Sequence, residues 1–178
     1  FYHGILKSDE GCGSGGDGNL NNIMRFVQSD TNKGLTADTW HNLFVGVFRA
    51  NQVIANVPNI PMDENLKKRV IAEAKFLRAL FYFNLTLYYK RPPLQLTPSQ
   101  TTDFPRNATT AEAYAQVAKD LTEAAVDLPV SYTGNDLGRA TRGAAYALLG
   151  KTYLQQNMYQ QALDAFAYLV TGAGASTY

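Results

Sequence analysis

Apolar residues recur along this chain at three- and four-residue spacing, in stretches separated by glycine and proline, and no stretch alternates with period two. The pattern predicts helices, with little or no strand. Residues 1–28 show the least periodicity. Gly11, Gly13, Gly15, Gly16 and Gly18 crowd together there, which removes helix propensity and packing side chains alike, so a loop is expected, with a short helix over 21–28. Residues 29–35 are again turn-like. Regular structure is expected from Asp38, read as the N-cap of a helix over about 39–57. Its apolar face carries Leu43, Val47, Ala50 and Ile54, broadened by Phe44 and Phe48, and Pro58 and Pro61 end it.

A longer helix is expected after Asp63, with Leu66, Val70, Ala74, Leu77 and Phe81 along one side. From Phe76 onward nearly every face is apolar, the mark of a helix packed on several sides. That stretch contains Arg78 and Asn84 and falls short of the ~20 residues a membrane-spanning helix needs. Pro92 and Pro93 lack the N–H groups a continuing helix must donate, so the helix stops before them. A long loop follows over 91–108. Thr109 then stands three residues before Glu112, a capping box opening a helix with Val117, Leu121, Ala124, Ala125 and Leu128, closed by Pro129. A turn through Gly134 and Gly138 leads to Thr141, the expected cap of a helix to about Gln156. Asn157 is read as its C-cap, and a last helix is expected over 159–171. The fold class is all-α.

Composition narrows the function. Hydrophobic residues make up 46% and charged residues 17% of the chain, enough for a core and too little charge for disorder. The net charge of +1 comes without a run of like charge, so no nucleic-acid partner is expected. Cys12 is the single cysteine, which excludes an intrachain disulfide or cysteine-rich zinc site, and His3 and His41 are too few for a metal cluster. Asp17-Gly-Asn19 has the flavour of a calcium loop but lacks the remaining ligands and terminal Glu. No metal and no cofactor are expected. The paired carboxylates Asp9/Glu10 and Glu123/Asp127 have no catalytic partner, the second pair falls on an expected solvent face, and no motif supports an enzyme.

The last two helices fit a tetratricopeptide register beginning at Gly143. Tyr146, Leu149, Gly150, Tyr153, Ala162 and Phe166 are of the expected types, and Leu169 and Gly174 depart from it. Gly150 and Ala162 are the positions where two antiparallel helices approach closely. The pair of helices over 63–89 and 110–128 resembles the same hairpin with a long loop inserted. A helix-hairpin scaffold is therefore expected, and these residues are read as packing.

Several stretches together point further. Glu73-Ala-Lys-Phe-Leu-Arg-Ala-Leu-Phe-Tyr-Phe83 resembles the "EAxFLRAxxYF" helix of the SusD/RagB family of outer-membrane glycan-binding lipoproteins. Asp120-Leu-Thr-Glu-Ala124 with Leu128-Pro129 is similar to its "DLxxAxxxLP" segment, and Gly138-Arg-Ala-Thr-Arg-Gly-Ala-Ala145 to "GRxTKxAA". Trp40, Arg49, Ala50 and Asn51 match its "W…RAN" helix, and Ser8-Asp9-Glu10 resembles an acidic patch upstream. Where the family has a Gly-Asp/Gly-Val-Pro-Leu turn, this chain has Lys90-Arg91-Pro92-Pro93-Leu94. Family members are longer and have an N-terminal lipidated cysteine. The chain is thus expected to be a single partial SusD-like domain over 1–178, with a Gly-rich region and short helix over 1–38 and hairpins over 39–178. Cys12, inside a Gly-rich loop, is not read as the lipidation site.

The resemblance implies a non-enzymatic role: capture of an oligosaccharide or polysaccharide on the outer face of the outer membrane of a Bacteroidetes-type bacterium, with delivery to a SusC-like TonB-dependent transporter. Membrane association would come only through an N-terminal lipid anchor absent from this chain. The alternative is a tetratricopeptide adaptor that binds a peptide or protein in its groove. Sugar binding needs aromatic faces for C–H surfaces and amides or carboxylates for hydroxyls, usually on loops. Asp17, Asn19, Asn21 and Asn22, with Trp40, are the candidate ligand-binding residues. The competing reading is that the Asn and Asp side chains cap turns and that Trp40 is core. Arg78, amid apolar neighbours, requires a partner. Asp120 is the first choice and Glu73 the second, for a structural ion pair.

Overall fold

The computed structural model describes Gly18, Asn22 and residues 34–100 and 103–171. The chain divides into two compact units, Phe1–Asn42 and Leu43–Tyr178. In the first, Gly18 and Asn22 are helical, and the expected 21–28 helix otherwise lies outside the described residues. Five α-helices are described: α1 (Gly34–Asn56), α2 (Glu64–Tyr89), α3 (Thr110–Asp127), α4 (Arg142–Leu154) and α5 (Tyr159–Val170). Among the described residues the only extended pairing is an isolated antiparallel bridge between Pro93 and Asn107. The fold is all-α, built from tetratricopeptide-like helix hairpins.

α1 begins earlier than expected. Asp38 lies inside it, not at its cap, because residues 35–37 contain nothing that breaks a helix and the poor helix former Gly34 stands at its start. Farther along, Val47, Ala50 and Asn51 are buried. A 3₁₀ turn, Val57–Asn59, holds Pro58 and ends the run. α2 is capped by Asp63, whose Oδ1 accepts the Leu66 N–H at 2.8 Å. Its buried face shares Ala74 with the expected stripe and otherwise differs from it. Ala72, Ala79, Tyr82, Leu85 and Thr86 are enclosed, whereas Leu66 and Leu77 are exposed. α3 packs along α2.

At the end of α2, Lys90 adopts φ +66°, and Arg91 donates its N–H to the Tyr89 carbonyl at 2.7 Å. This is a tight γ-turn, a strained shape for a residue with a Cβ. It stands where the SusD/RagB resemblance has glycine. The loop that follows returns to its starting point: Ala108 N–H bonds the Pro92 carbonyl at 3.1 Å beside the Pro93–Asn107 bridge. Its ends are therefore closed on each other in the manner of an Ω-loop.

The capping box of α3 is complete. Thr109 N–H bonds Glu112 Oε2 at 2.8 Å, and Glu112 N–H bonds Thr109 Oγ1 at 3.2 Å. Ala113, Val117, Leu121 and Ala124 bury one face of that helix. α3 packs on α4, and α4 on α5. Thr141 caps α4 through Ala144 N–H at 3.2 Å. α4 stops at Leu154, two residues before the expected end, and closes in a Schellman motif. Asn157 has φ +59°, its N–H bonds the Leu154 carbonyl, and Met158 N–H reaches back to the Tyr153 carbonyl.

In the α4–α5 hairpin a Cβ at Gly150 would lie 2.4 Å from the Phe166 ring, so only glycine lets this ring seat against the helix backbone. Ala162 is buried and Tyr146 stacks on Tyr168 with centroids 4.2 Å apart. Gly174 lies outside the described residues. The same arrangement occurs between α1 and α2, where a Cβ at Gly46 would meet the Phe81 ring at 2.4 Å. Phe44 adds an edge-on contact with Tyr82.

Candidate functional site

The core of the second unit contains a connected set of polar side chains. Arg78 and Asp120 form a bidentate pair, Nε to Oδ2 and NH2 to Oδ1, both 2.7 Å. Two parallel charge-assisted bonds fix the guanidinium plane. Gln116 Nε2 donates to Asp120 Oδ1 at 2.9 Å. The remaining Arg78 nitrogen, NH1, donates to Asn51 Oδ1 at 2.9 Å and to the Leu96 carbonyl at 3.1 Å. Asn51 Nδ2 in turn donates to the carbonyls of Gln95 (2.9 Å) and Thr97 (3.1 Å). Tyr82 completes the set: its hydroxyl donates to the Gln95 carbonyl at 2.9 Å and accepts the Gln95 N–H at 2.8 Å. Burial pushes the Tyr82 phenol up to about 12, although its bond to Gln95 and the charge of Arg78 pull the other way. It is a neutral hydrogen-bonding group at any ordinary pH.

Two helices, α1 through Asn51 and α2 through Arg78 and Tyr82, thus hold three consecutive backbone residues, 95–97, of the 91–108 loop, and Asp120 of α3 fixes the Arg78 that takes part. Each group left unpaired there would carry a desolvation cost of about 1–3 kcal/mol. The arrangement therefore specifies one loop conformation.

A second cluster joins α2 to the turn before α4. Glu73 accepts from Tyr132 Oη at 2.8 Å and Arg139 NH1 at 3.0 Å, with Arg69 Nε at 3.7 Å. Asp136 accepts from Arg139 Nε at 2.6 Å and Arg69 NH1 at 3.3 Å. The Asp136 carboxyl is held below its usual value chiefly by the Arg139 hydrogen bond, and the Tyr132 phenol is pushed up by burial and by Glu73. Beside this cluster a cleft of about 460 Å³ opens between α2 and the start of α4, with Phe76, Leu77 and Leu80 as its apolar wall and Glu73 and Arg139 as its polar one. Two smaller, mostly apolar clefts lie nearby, one sharing Leu77 and the other Ala144 with it.

The carboxylates near these features are committed to partners. Glu123 is paired with Lys75 at 2.8 Å, which draws its carboxyl down, so it is not simply solvated. Exposed Glu112 is lowered to about 2, first by the Arg106 hydrogen bond and then by Thr109. Among the described residues no three His, Cys, Asp or Glu side chains converge as metal ligands, and no helix is long and apolar enough to cross a membrane.

Of the candidate ligand-binding residues, Asp17, Asn19 and Asn21 lie outside the described residues. Asn22 is helical and half-buried, and Trp40 is half-buried on α1. Arg78 and Asp120 are brought together, while Glu73 serves Arg139, Tyr132 and Arg69 instead. Sequence reasoning passed over Asn51 and Tyr82. Asn51 had a signal: it sits four residues after Val47, a polar group on the face that is buried.

Over residues 14–154 the chain matches the SusD-like family model, described as starch-binding, associating with outer membrane. A SusD-like protein from Formosa agariphila is 30% identical over 131 residues, covering 72% of this chain and 25% of the relative. Among solved structures, a laminarin-binding SusD-like protein superposes with a TM-score of 0.80 at 30% identity, covering 96% of this chain and 41% of that one. A SusD superfamily protein from Bacteroides vulgatus gives 0.81 at 28% identity, covering 89% and 35%. The chain therefore spans well under half the length of these relatives.

Proposed function

The chain belongs to the SusD-like family, and on that premise we propose that it takes part in capturing a polysaccharide or oligosaccharide at the cell surface, without catalysing its cleavage. The observation that carries this is the family match across 14–154, which takes in the α1–α4 region and its buried Arg78 network. The laminarin-binding relative favours a glycan over a peptide as the ligand. We further propose that the captured glycan passes to a SusC-like TonB-dependent transporter and that a lipid anchor holds the protein at the outer membrane. The residues 17, 19, 21, 22 and 40 are proposed as part of the ligand surface, because amides and an aromatic ring supply the two kinds of contact a sugar needs.

Native electrophoresis through gels containing starch or laminarin tests the reading. Retardation by at least one of them is the expected result. Unchanged mobility in every glycan gel, with tight binding of a peptide, would move the function to the adaptor class. Co-purification with a TonB-dependent transporter tests the delivery step, and its absence from cross-linked outer membranes would remove that step alone.

A further inference from the structure

The 91–108 loop presents one large side chain wholly to solvent. Phe104 is 90% exposed, more than any other large apolar residue described. The loop that carries it is gripped from beneath. Asn51, Arg78 and Tyr82 bind the backbone of 95–97, and the base is closed by Ala108 N–H to the Pro92 carbonyl. The segment next to Phe104 is tied to that gripped backbone. Asp103 Oδ2 accepts the Gln100 N–H at 2.8 Å and Gln95 Nε2 at 3.3 Å, and Pro105 fixes the backbone on the other side. An aromatic ring on a backbone fixed this way loses little conformational freedom when something stacks on it.

We propose that Phe104 is a glycan-stacking platform for a neutral polysaccharide chain, a site additional to the candidate ligand-binding residues already named. This rests on the glycan-capture reading above. An exposed ring supplies the flat apolar face that covers the C–H side of a hexose, and the side chains around it can bond hydroxyls. The charged residues flanking it in sequence are engaged with protein partners. Arg106 is occupied by Glu112, NH1 to Oε2 at 3.0 Å, and Asp103 holds Gln95 and Gln100. A cleft of about 250 Å³ in the same region is bounded by Leu94, by Pro105 and Arg106, which follow Phe104 in the chain, and by Ala108 and Glu112.

The test is native gel electrophoresis of wild type, Phe104→Ala and Phe104→Trp through laminarin, starch and polygalacturonate, with melting temperatures measured alongside. Phe104→Ala should melt with the wild type, since the ring is solvent-exposed. It should lose about tenfold in affinity for the neutral glucan that retards the wild type, the scale of one aromatic contact. Phe104→Trp should keep or increase retardation. Wild-type retardation that is unchanged in Phe104→Ala, or lost in Phe104→Trp, overturns the platform and leaves glycan capture standing. Retardation by polygalacturonate in preference to both glucans overturns the neutral specificity. No retardation of the wild type in any gel removes glycan capture and the platform together.

Discussion

Two arginine–carboxylate clusters sit on the same long helix and do different work. Arg78 and Asp120 are almost closed to water, with side chains 7% and 1% exposed, and Arg78 with its neighbour Asn51 reaches on to loop backbone. Arg139 and Asp136, which meet α2 through Glu73 and Arg69, remain 46% and 38% exposed. Water competes for the bonds of Arg139 and Asp136 and screens their charges, so the pairs they make contribute little individually. In the first cluster water is excluded, and what matters is the cost of leaving one member unpaired. The inner cluster fixes a shape, while the outer one fastens a turn whose backbone is already directed by Gly134 and Gly138 at positive φ.

Breaking the inner cluster should give the largest effect. Arg78→Met leaves Asp120 buried with Gln116 as its remaining side-chain partner, and a loss of about 3–5 kcal/mol is expected in urea unfolding. Arg78→Met/Asp120→Leu should regain much of that loss while leaving the loop less protected in hydrogen exchange around residue 95. A double variant as unstable as the single would mean that the pair matters for more than its own neutralisation. Arg139→Ala should cost no more than about 1 kcal/mol, since Glu73 keeps Tyr132 and Arg69. A loss equal to that of Arg78→Met would erase the distinction between the clusters. The smallest effect belongs to the exposed Arg106–Glu112 pair and is read through pH. The Glu112 carboxyl is lowered to about 2 from its ordinary 4.5, so its stabilisation is present above about pH 4.5 and fades as pH falls toward 2. Wild type should therefore melt above Glu112→Gln at pH 7 and level with it at pH 2. A gap that persists at pH 2 would locate the effect elsewhere than in this charge.

Where the chain order itself sets a spacing, the fold was legible. Gly150 and Phe166 lie in one short hairpin, so a fixed register finds both, and the Cβ clash confirms why the glycine is needed. Gly46 and Phe81 make the same contact, but a turn and a cap intervene at no set length, and counting residues does not connect them. Arg78 was visible because a guanidinium in a greasy helix demands a partner. Asn51 follows the same logic more quietly, an amide being less conspicuous on an apolar face than a charge. The end of α2 depended on two prolines and was plain, whereas the start of α1 had no cap with such authority, and Asp38 attracted the boundary wrongly. The proposed platform was least legible. Phe104 lies in a segment without periodicity, in a loop whose residues 95–97 are gripped from α1 and α2.

Most of that grip falls on carbonyl oxygens. Asn51, Arg78 and Tyr82 take hold of Gln95, Leu96 and Thr97 through C=O groups that any amino acid would offer in their place. The contour of residues 95–97 is consequently written into the helices that support it, while the stretch leading to Phe104 also depends on the loop's own Gln95, Asp103 and Pro105. A lineage could rewrite the side chains of 96 and 97 while the supporting residues stayed as they are.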